Sequence, residues 1–281
     1  KQKNWTLKQG EKLQVALIQT ATPQRKKMNN ALQTQRLQQM STMSEPYLGK
    51  VDLIIWPETV VTLEKNQINL ELTALAKAAT KEQTTILLGA FEASLDQQLF
   101  NTAYTLGYES EQSYRKRHLV PFGESIPSQL AFLAPFFPGD QRRILGKTPE
   151  LIALKGTLFG VTICWEGSFS RDVSTLVRSG AKVLVNIANE AWFFGSSLPW
   201  QNLDALRIRA LETGRTMISV ANLGPGAAIN SKGEIYAMIP DNKASSTKVM
   251  VQPYIGTTPF ILMGSDFILL VSLLIVLYIE I

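Results

Sequence analysis

The chain has 281 residues, 45% of them hydrophobic, enough to bury a substantial core in one large domain or two small ones, which excludes intrinsic disorder. Its 28 basic and 23 acidic residues give a net charge of +5, too small and too scattered for a nucleic-acid binder. A single cysteine, Cys164, and a single histidine, His118, exclude an intrachain disulfide and leave too few soft ligands for a structural zinc site.

The sequence opens on a lysine, with no basic-then-apolar leader, and residues 1–12 are expected to be a linker from an upstream segment. Leu13–Gln19 has the apolar, β-branched character of a strand, and Asn29–Leu48 that of a helix with a polar face. Val51–Trp56 predicts a second strand, stopped by Pro57, followed by a helix over Ile68–Lys81 and a strand over Thr85–Ala90. Asn101–Gly107 and Gln112–Arg117 predict a hairpin around Tyr108-Glu109-Ser110, and His118–Glu150 is mostly loop. Leu158–Ile163 and Lys182–Ala188 are expected to be buried strands flanking a helix that starts near Ser168. Trp200–Thr213 predicts a helix, Thr216–Asn222 a strand, and Ala227–Ile229 and Glu234–Tyr236 a hairpin. Strands alternating with helices, with hairpins inserted, argue for an α/β sandwich with sheet inside and helices outside. The catalytic domain is expected over 13–257.

Phe267–Ile279 is apolar except for Ser272. Thirteen residues at ~1.5 Å rise span about 20 Å, short of the ~30 Å hydrocarbon thickness, so the run is either a buried core helix or a membrane helix cut by the chain end. A run apolar on every face suits lipid contact, and 258–281 is therefore expected to be an incomplete C-terminal transmembrane helix.

Three positions carry chemistry. Cys164 ends an apolar strand and precedes Trp165-Glu166-Gly167 and a helix. A strand that stops abruptly and feeds a helix exposes the turn side chain and aims the next backbone N–H groups at one point, where an oxyanion can sit. A nearby helix N-terminus would also lower the thiol pKa. The bland alternative is a buried cysteine acting as a small hydrophobe. Glu58, in Trp56-Pro57-Glu58 at a strand's C-terminal end, is a carboxylate beside aromatic bulk, whose pKa desolvation would raise toward a usable base; alone it would more often be a helix N-terminal charge. Lys116 lies in Tyr114-Arg115-Lys116-Arg117-His118. Strand alternation that turns Arg115 and Arg117 to one face turns Lys116 to the other, which could be buried, with Glu124 beyond the Pro121/Gly123 turn as its partner. His118 is a rival base.

Glu58, Lys116 before His118-Leu119-Val120-Pro121-Phe122-Gly123-Glu124, and Cys164 in Ile163-Cys164-Trp165-Glu166 follow the order and contexts of the Glu-Lys-Cys triad, and the chain resembles the nitrilase superfamily on these residues. More narrowly it is similar to the apolipoprotein N-acyltransferase family over roughly Leu13–Ile281, through Val120–Glu124, Asn189-Glu190-Ala191-Trp192-Phe193 and Arg209–Arg215. Trp165 stands where that family commonly has tyrosine. The resemblance implies a nitrilase-like α-β-β-α sandwich held between an N-terminal bundle of transmembrane helices and one C-terminal helix. It implies the bacterial cytoplasmic (inner) membrane, with the catalytic domain on the periplasmic face, and no cofactor or metal.

The residues and the resemblance together make Cys164 the nucleophile and Glu58 the general base and acid. Lys116 and the Trp165 N–H would hold the oxyanion, Glu124 would orient Lys116, and Glu166 would shape the site. The acyl donor would be a phospholipid, such as phosphatidylethanolamine, and the acceptor the N-terminal amine of a diacylglyceryl-cysteine lipoprotein, with ping-pong kinetics. Leu130–Pro138, including Phe136 and Phe137, and Trp192-Phe193-Phe194 are too apolar for solvent loops; they are packed core or arms in the bilayer interface through which lipid enters. Arg142, Arg143 and Lys147 could meet phosphate headgroups or simply be solvated. Two other readings use the same residues: an amidase or nitrilase acting on small C–N substrates with water resolving the thioester, and a catalytically dead membrane-bound binding module.

Overall fold

The structure is a computed structural model that describes residues 4–64, 69–126, 129–130, 132 and 143–279. The first half of the chain gives β1 (Thr6–Lys8), β2 (Leu13–Gln19), α1 (Gln24–Lys27), α2 (Gln33–Ser44), β3 (Leu53–Ile55), β4 (Val61–Glu64), α3 (Asn69–Lys81), β5 (Thr85–Ala93), β6 (Leu99–Gly107) and β7 (Ser113–Arg115). The second half gives β8 (Arg143–Ile144), β9 (Leu151–Leu154), β10 (Thr157–Ile163), α4 (Ser170–Arg178), β11 (Val183–Asn189), α5 (Leu198–Thr213), β12 (Thr216–Asn222), β13 (Gly226–Ile229), β14 (Ile235–Ile239), β15 (Ser245–Val251), β16 (Tyr254–Gly256) and α6 (Pro259–Ile279).

Two sheets face each other. One runs β15-β2-β3-β5-β6-β7, with β4 on β5 and β8 on β6; the other runs β14-β13-β12-β11-β10-β9. Along each order the central strands are parallel and the flanking ones antiparallel, while β4 and β8 add in parallel. Strand alternation divides the apolar residues between layers. Val15 and Leu17 point into the space between the sheets, where Ile55, Leu87, Val161, Ile163, Val185 and Val220 meet them. Ala16 and Ile18 point the other way, onto Leu37 and Met40 of α2 and, with Ile54 and Ile86, toward Leu72, Leu75 and Ala79 of α3. The second sheet's outer face carries Val173, Leu176 and Val177 of α4 and Leu203, Leu206 and Ala210 of α5. Strands covered on both faces have no polar side to show, which is why β2, β10 and β11 read as nearly continuous apolar runs. The helix-sheet-sheet-helix layering is the nitrilase-like sandwich expected.

Before Leu13, β1 pairs antiparallel with β16, tying the start of the described chain to its far end. β15, whose Ser245-Ser246-Thr247-Lys248 half is too polar to suggest a buried strand, closes the first sheet against β2. The C-terminal expectation needs correcting. α6 is two helices joined at Gly264, whose φ of 68° and ψ of −174° break the helical path. The part beyond the break, 265–279, is about 15 residues, or about 22 Å, and among the described residues no helix is long and apolar enough to cross a membrane. Much of it is exposed, including Leu273, Leu274, Ile275, Val276 and Tyr278.

Candidate active site

The site assembles at the C-terminal ends of parallel strands, where side chains escape the sheet's own hydrogen bonding. β3 delivers Glu58. Trp56 anchors the strand end, fully buried, with its indole N–H donating to Ser44 Oγ at 3.0 Å. The turn after Pro57 is tight: Thr59 has a φ of 46°, and a Cβ on the facing Gly89 would come within 2.5 Å of Thr59 N and 2.6 Å of Glu58 Cα. Only glycine fits there.

The β7 direction continues one residue past the strand, where Lys116 N donates to Asn101 O at 2.8 Å. Alternation holds as the sequence suggests. Arg115 faces Glu92, Arg117 faces Asp172, and Lys116 turns inward with 1% exposure. Its Nζ lies 3.1 Å from Glu58 Oε1 and 2.8 Å from Glu124 Oε2. Glu124 also accepts from Val120 N at 2.9 Å and pairs with Arg143 at 3.2 Å. Asn101 Nδ2 donates to both carboxylates, at 2.7 Å to Glu58 and 3.2 Å to Glu124. Asn189 N, at the end of β11, donates to Glu58 Oε2 at 2.8 Å.

β10 delivers Cys164 in a left-handed conformation, φ 58°, opening a five-residue 3-10 helix. Asn186 Nδ2 holds this elbow by donating to the Cys164 carbonyl at 2.8 Å and to Thr162 Oγ1 at 2.9 Å. Glu166 ties the elbow to the lysine segment. Its Oε2 accepts from Ile163 N and Tyr114 OH, and its Oε1 from Arg117 N and His118 N. Trp165 Nε1 donates to His118 O at 2.8 Å, bracing the same two segments.

Glu58, Lys116, Cys164, Glu124, Arg143 and Asn189 line one cavity of about 270 Å³, walled by Val120, Pro121, Gly123, Trp192 and Phe193. A larger groove of about 770 Å³ between α4 and α6 holds none of the triad. Trp192 is 60% exposed and Phe194 is 62% exposed, while Phe193 is half-buried. Phe136, Phe137 and Arg142 fall outside the described residues. Glu166 and Trp165 do not line the cavity, and neither does His118, which sits 3.0 Å from Asp172 and stacks on Phe169. Among the described residues no cluster of His, Cys, Asp and Glu could hold a metal ion.

The electrostatics differ from the sequence expectation in two places. Burial alone would push the Glu58 carboxyl up, but Lys116, Lys27 and the hydrogen bonds from Asn101 and Lys116 outweigh it and hold it below the usual range. Cys164 is not lowered. Burial, with Glu58 adding to it, pushes the thiol well up against the opposing pull of Lys116, and a 3-10 helix of five residues is no counterweight. Burial works against the Lys116 ammonium, yet Glu58 and Glu124 more than compensate and keep it charged. The resting site is thus a carboxylate, an ammonium and a neutral thiol. Proton transfer from sulfur to Glu58 creates a thiolate beside a fixed cation, and a carbonyl attacked there would develop its negative charge toward Lys116.

Asn101, Lys27 and the Asn189 N–H were not indicated by the sequence. Asn189 ends the apolar strand β11, and a polar residue at such an end was the available signal; Asn101 lies inside β6. Lys27 lies in a Lys-Arg run that reads as solvated.

The carbon-nitrogen hydrolase family model matches residues 14–258. Curated relatives include the apolipoprotein N-acyltransferases of Vibrio cholerae (35% identical over 227 residues, 76% of this chain and 45% of that one), Nitrosomonas europaea (32% over 277 residues, 94% and 54%) and Methylococcus capsulatus (34% over 273 residues, 92% and 52%). The chain spans about half the length of these relatives. Among solved structures, Saccharomyces cerevisiae Nit3, a member of the nitrilase superfamily, aligns with a TM-score of 0.65 at 18% identity, covering 87% of this chain and 91% of that one. An amidase from Nesterenkonia sp., with an acetamide moiety added covalently at its active-site cysteine, aligns with a TM-score of 0.62 at 16% identity, covering 88% and 93%. These structural likenesses establish the shared fold.

Proposed function

The chain belongs to the carbon-nitrogen hydrolase family, and from that premise we propose that it is the catalytic part of an apolipoprotein N-acyltransferase, moving a fatty acyl group from a phospholipid to the N-terminal amine of a diacylglyceryl-cysteine lipoprotein. The observation that carries this is the joining of Glu58, Lys116 and Cys164 in one cavity whose mouth is apolar and aromatic. Glu58 takes the thiol proton and sulfur attacks the ester carbonyl. The oxyanion rests on Lys116 and the Trp165 N–H, an orphan donor at the start of the 3-10 helix. The C–O bond breaks, Glu58 returns the proton to the departing alkoxide, and a thioester and a lysophospholipid remain. In the second half, Glu58 takes a proton from the attacking amine and gives it to the departing Cys164 sulfur, leaving an amide and a free thiol.

A cavity of about 270 Å³ is small for a whole lipid. It suits the ester and a short stretch of chain, the remainder lying outside against Trp192, Phe193 and Phe194. These aromatics and the exposed apolar end of α6 support contact with a membrane surface, which we place, with the resemblance to the acyltransferases, at the outer face of the bacterial inner membrane. Within this reading 13–257 is the catalytic domain, with β1 paired to β16 at its edge, and α6 is the membrane-contacting element.

The test supplies the protein with phosphatidylethanolamine vesicles and a diacylglyceryl-cysteine peptide, and separately with short amides. Acyl groups in amide linkage on the peptide, without short-amide hydrolysis, are expected. Short-amide hydrolysis without acyl transfer would assign the chain to small C–N substrates instead.

A further inference from the structure

Within the single turn of α1, Arg25 and Lys26 are exposed, whereas Lys27 is 2% exposed. A lysine loses its hydration on burial and is rarely placed there without a compensating partner. Among the described residues Lys27 forms no ion pair. Its Nζ donates to the backbone carbonyl of Glu58 at 2.6 Å. From the same turn Gln24 Oε1 accepts from Asn189 Nδ2 at 2.9 Å, so α1 grips both Glu58 and the residue whose N–H holds the Glu58 carboxylate. α2 supports this contact from behind. Arg36 donates to Lys26 O and Asn29 O, fixing the end of α1, and also to Thr62 Oγ1. Gln33 donates to Val60 O and accepts from Thr62 N. The Glu58–Thr62 segment, with Thr59 in the left-handed region, is therefore held by side chains of α1 and α2.

We infer that Lys27 is a positioning residue for Glu58, fixing the strained Glu58–Thr59 peptide through its carbonyl and setting a second cation behind Lys116. The inference deepens the proposed function and rests on Glu58 acting as base there. The charges that face this pair are Lys116 after β7, Arg36 from α2 and Glu190 after β11, with Cys164 on the elbow. Burial lowers the Lys27 ammonium to about 7, with Glu58 pulling the other way and Arg36 adding to the loss. Lys27 therefore loses charge as pH rises through about 7.

The experiment measures two rates against pH in Lys27→Met, Lys27→Arg and the unsubstituted protein: alkylation of Cys164 by iodoacetamide, and acyl-adduct formation from phosphatidylethanolamine vesicles. A neighbouring cation favours the carboxylate, so its removal raises the Glu58 pKa. Lys27→Met is expected to lower both rates on the order of tenfold near neutrality and to move the acidic limb of each profile to higher pH. Lys27→Arg should keep the limb near its original place. An unmoved limb in Lys27→Met, or a Lys27→Arg profile that moves equally, would overturn the inference and leave Lys27 a packing residue. Should Lys27→Met not fold, Lys27→Gln, which retains a donor for the Glu58 carbonyl, carries the same comparison. Absence of any acyl adduct in the unsubstituted protein would count against the acyl-transfer reading, while the alkylation profile would still decide the role of Lys27.

Discussion

Replacing Lys116 with methionine tests the electrostatic balance of the site through stability as well as activity. The substitution keeps length and removes the ammonium that lies 3.1 Å from Glu58 and 2.8 Å from Glu124. Lys116 and Glu58 side chains are 1% and 5% exposed, so solvent screening offers little relief. Glu124 retains Arg143 at 3.2 Å, whereas Glu58 keeps only Asn101, the Asn189 N–H and the more distant Lys27. Removing one partner of a buried pair costs about 3–5 kcal/mol. At about 2 °C per kcal/mol for a domain of this size, Tm should fall by roughly 6–10 °C at pH 7. The pH dependence carries the sign. In the unsubstituted protein Glu58 is held below its ordinary value, so its contribution is complete above the unfolded pKa and is lost as pH falls through the folded one. In Lys116→Met burial dominates and raises the carboxyl, the folded state binds the proton more tightly, and stability is regained as pH falls. Thermal melts of both proteins at pH 7 and pH 5 should show a smaller gap at pH 5, with acyl transfer abolished at both. A gap that does not change with pH, or one below about 1 kcal/mol, would refute the reasoning.

Gly89→Ala should displace the Glu58–Thr59 turn, because its Cβ would meet backbone at 2.5–2.6 Å; a kcat loss exceeding tenfold is expected, with a Tm drop of several degrees, measured by acyl transfer and thermal melts. Glu166→Gln leaves one amide oxygen to serve four donors, Ile163 N, Arg117 N, His118 N and Tyr114 OH. It should cost about 2–3 kcal/mol in denaturant melts and reduce kcat without changing which lipid is used. Trp192→Ser with Phe194→Ser should leave Tm unchanged, since both side chains are mostly exposed, while weakening co-sedimentation with phosphatidylethanolamine vesicles and raising KM for lipid.

The convergence of Glu58, Lys116 and Cys164 was legible because each sits at a punctuation mark: Pro57 stops one strand before Glu58, the 115–117 alternation singles out Lys116, and an apolar run ends at Cys164. The charge states were not legible. Desolvation of Glu58 and a helix end near Cys164 were the terms visible in one dimension; the cations facing Glu58 come from α1 and the end of β7, distant in sequence and adjacent only after folding. Lys27 was hidden for the same reason, as nothing distinguishes it from Arg25 and Lys26 until burial does. The break at Gly264 was obscured by apolar residues on both sides, and β15 by its polar first half. Glu124, in contrast, lies close in sequence to Lys116, and the Pro121/Gly123 turn between them was enough to suggest the pair.

The central claim is covalent: a fatty acyl group resides on Cys164 between two half-reactions. Intact-protein mass spectrometry after incubation with phosphatidylethanolamine and no acceptor should show the mass of one acyl chain, removable by neutral hydroxylamine, located on Cys164 and missing from a correctly folded Cys164→Ala protein. No added mass under those conditions, or an adduct that survives in Cys164→Ala, would contradict it.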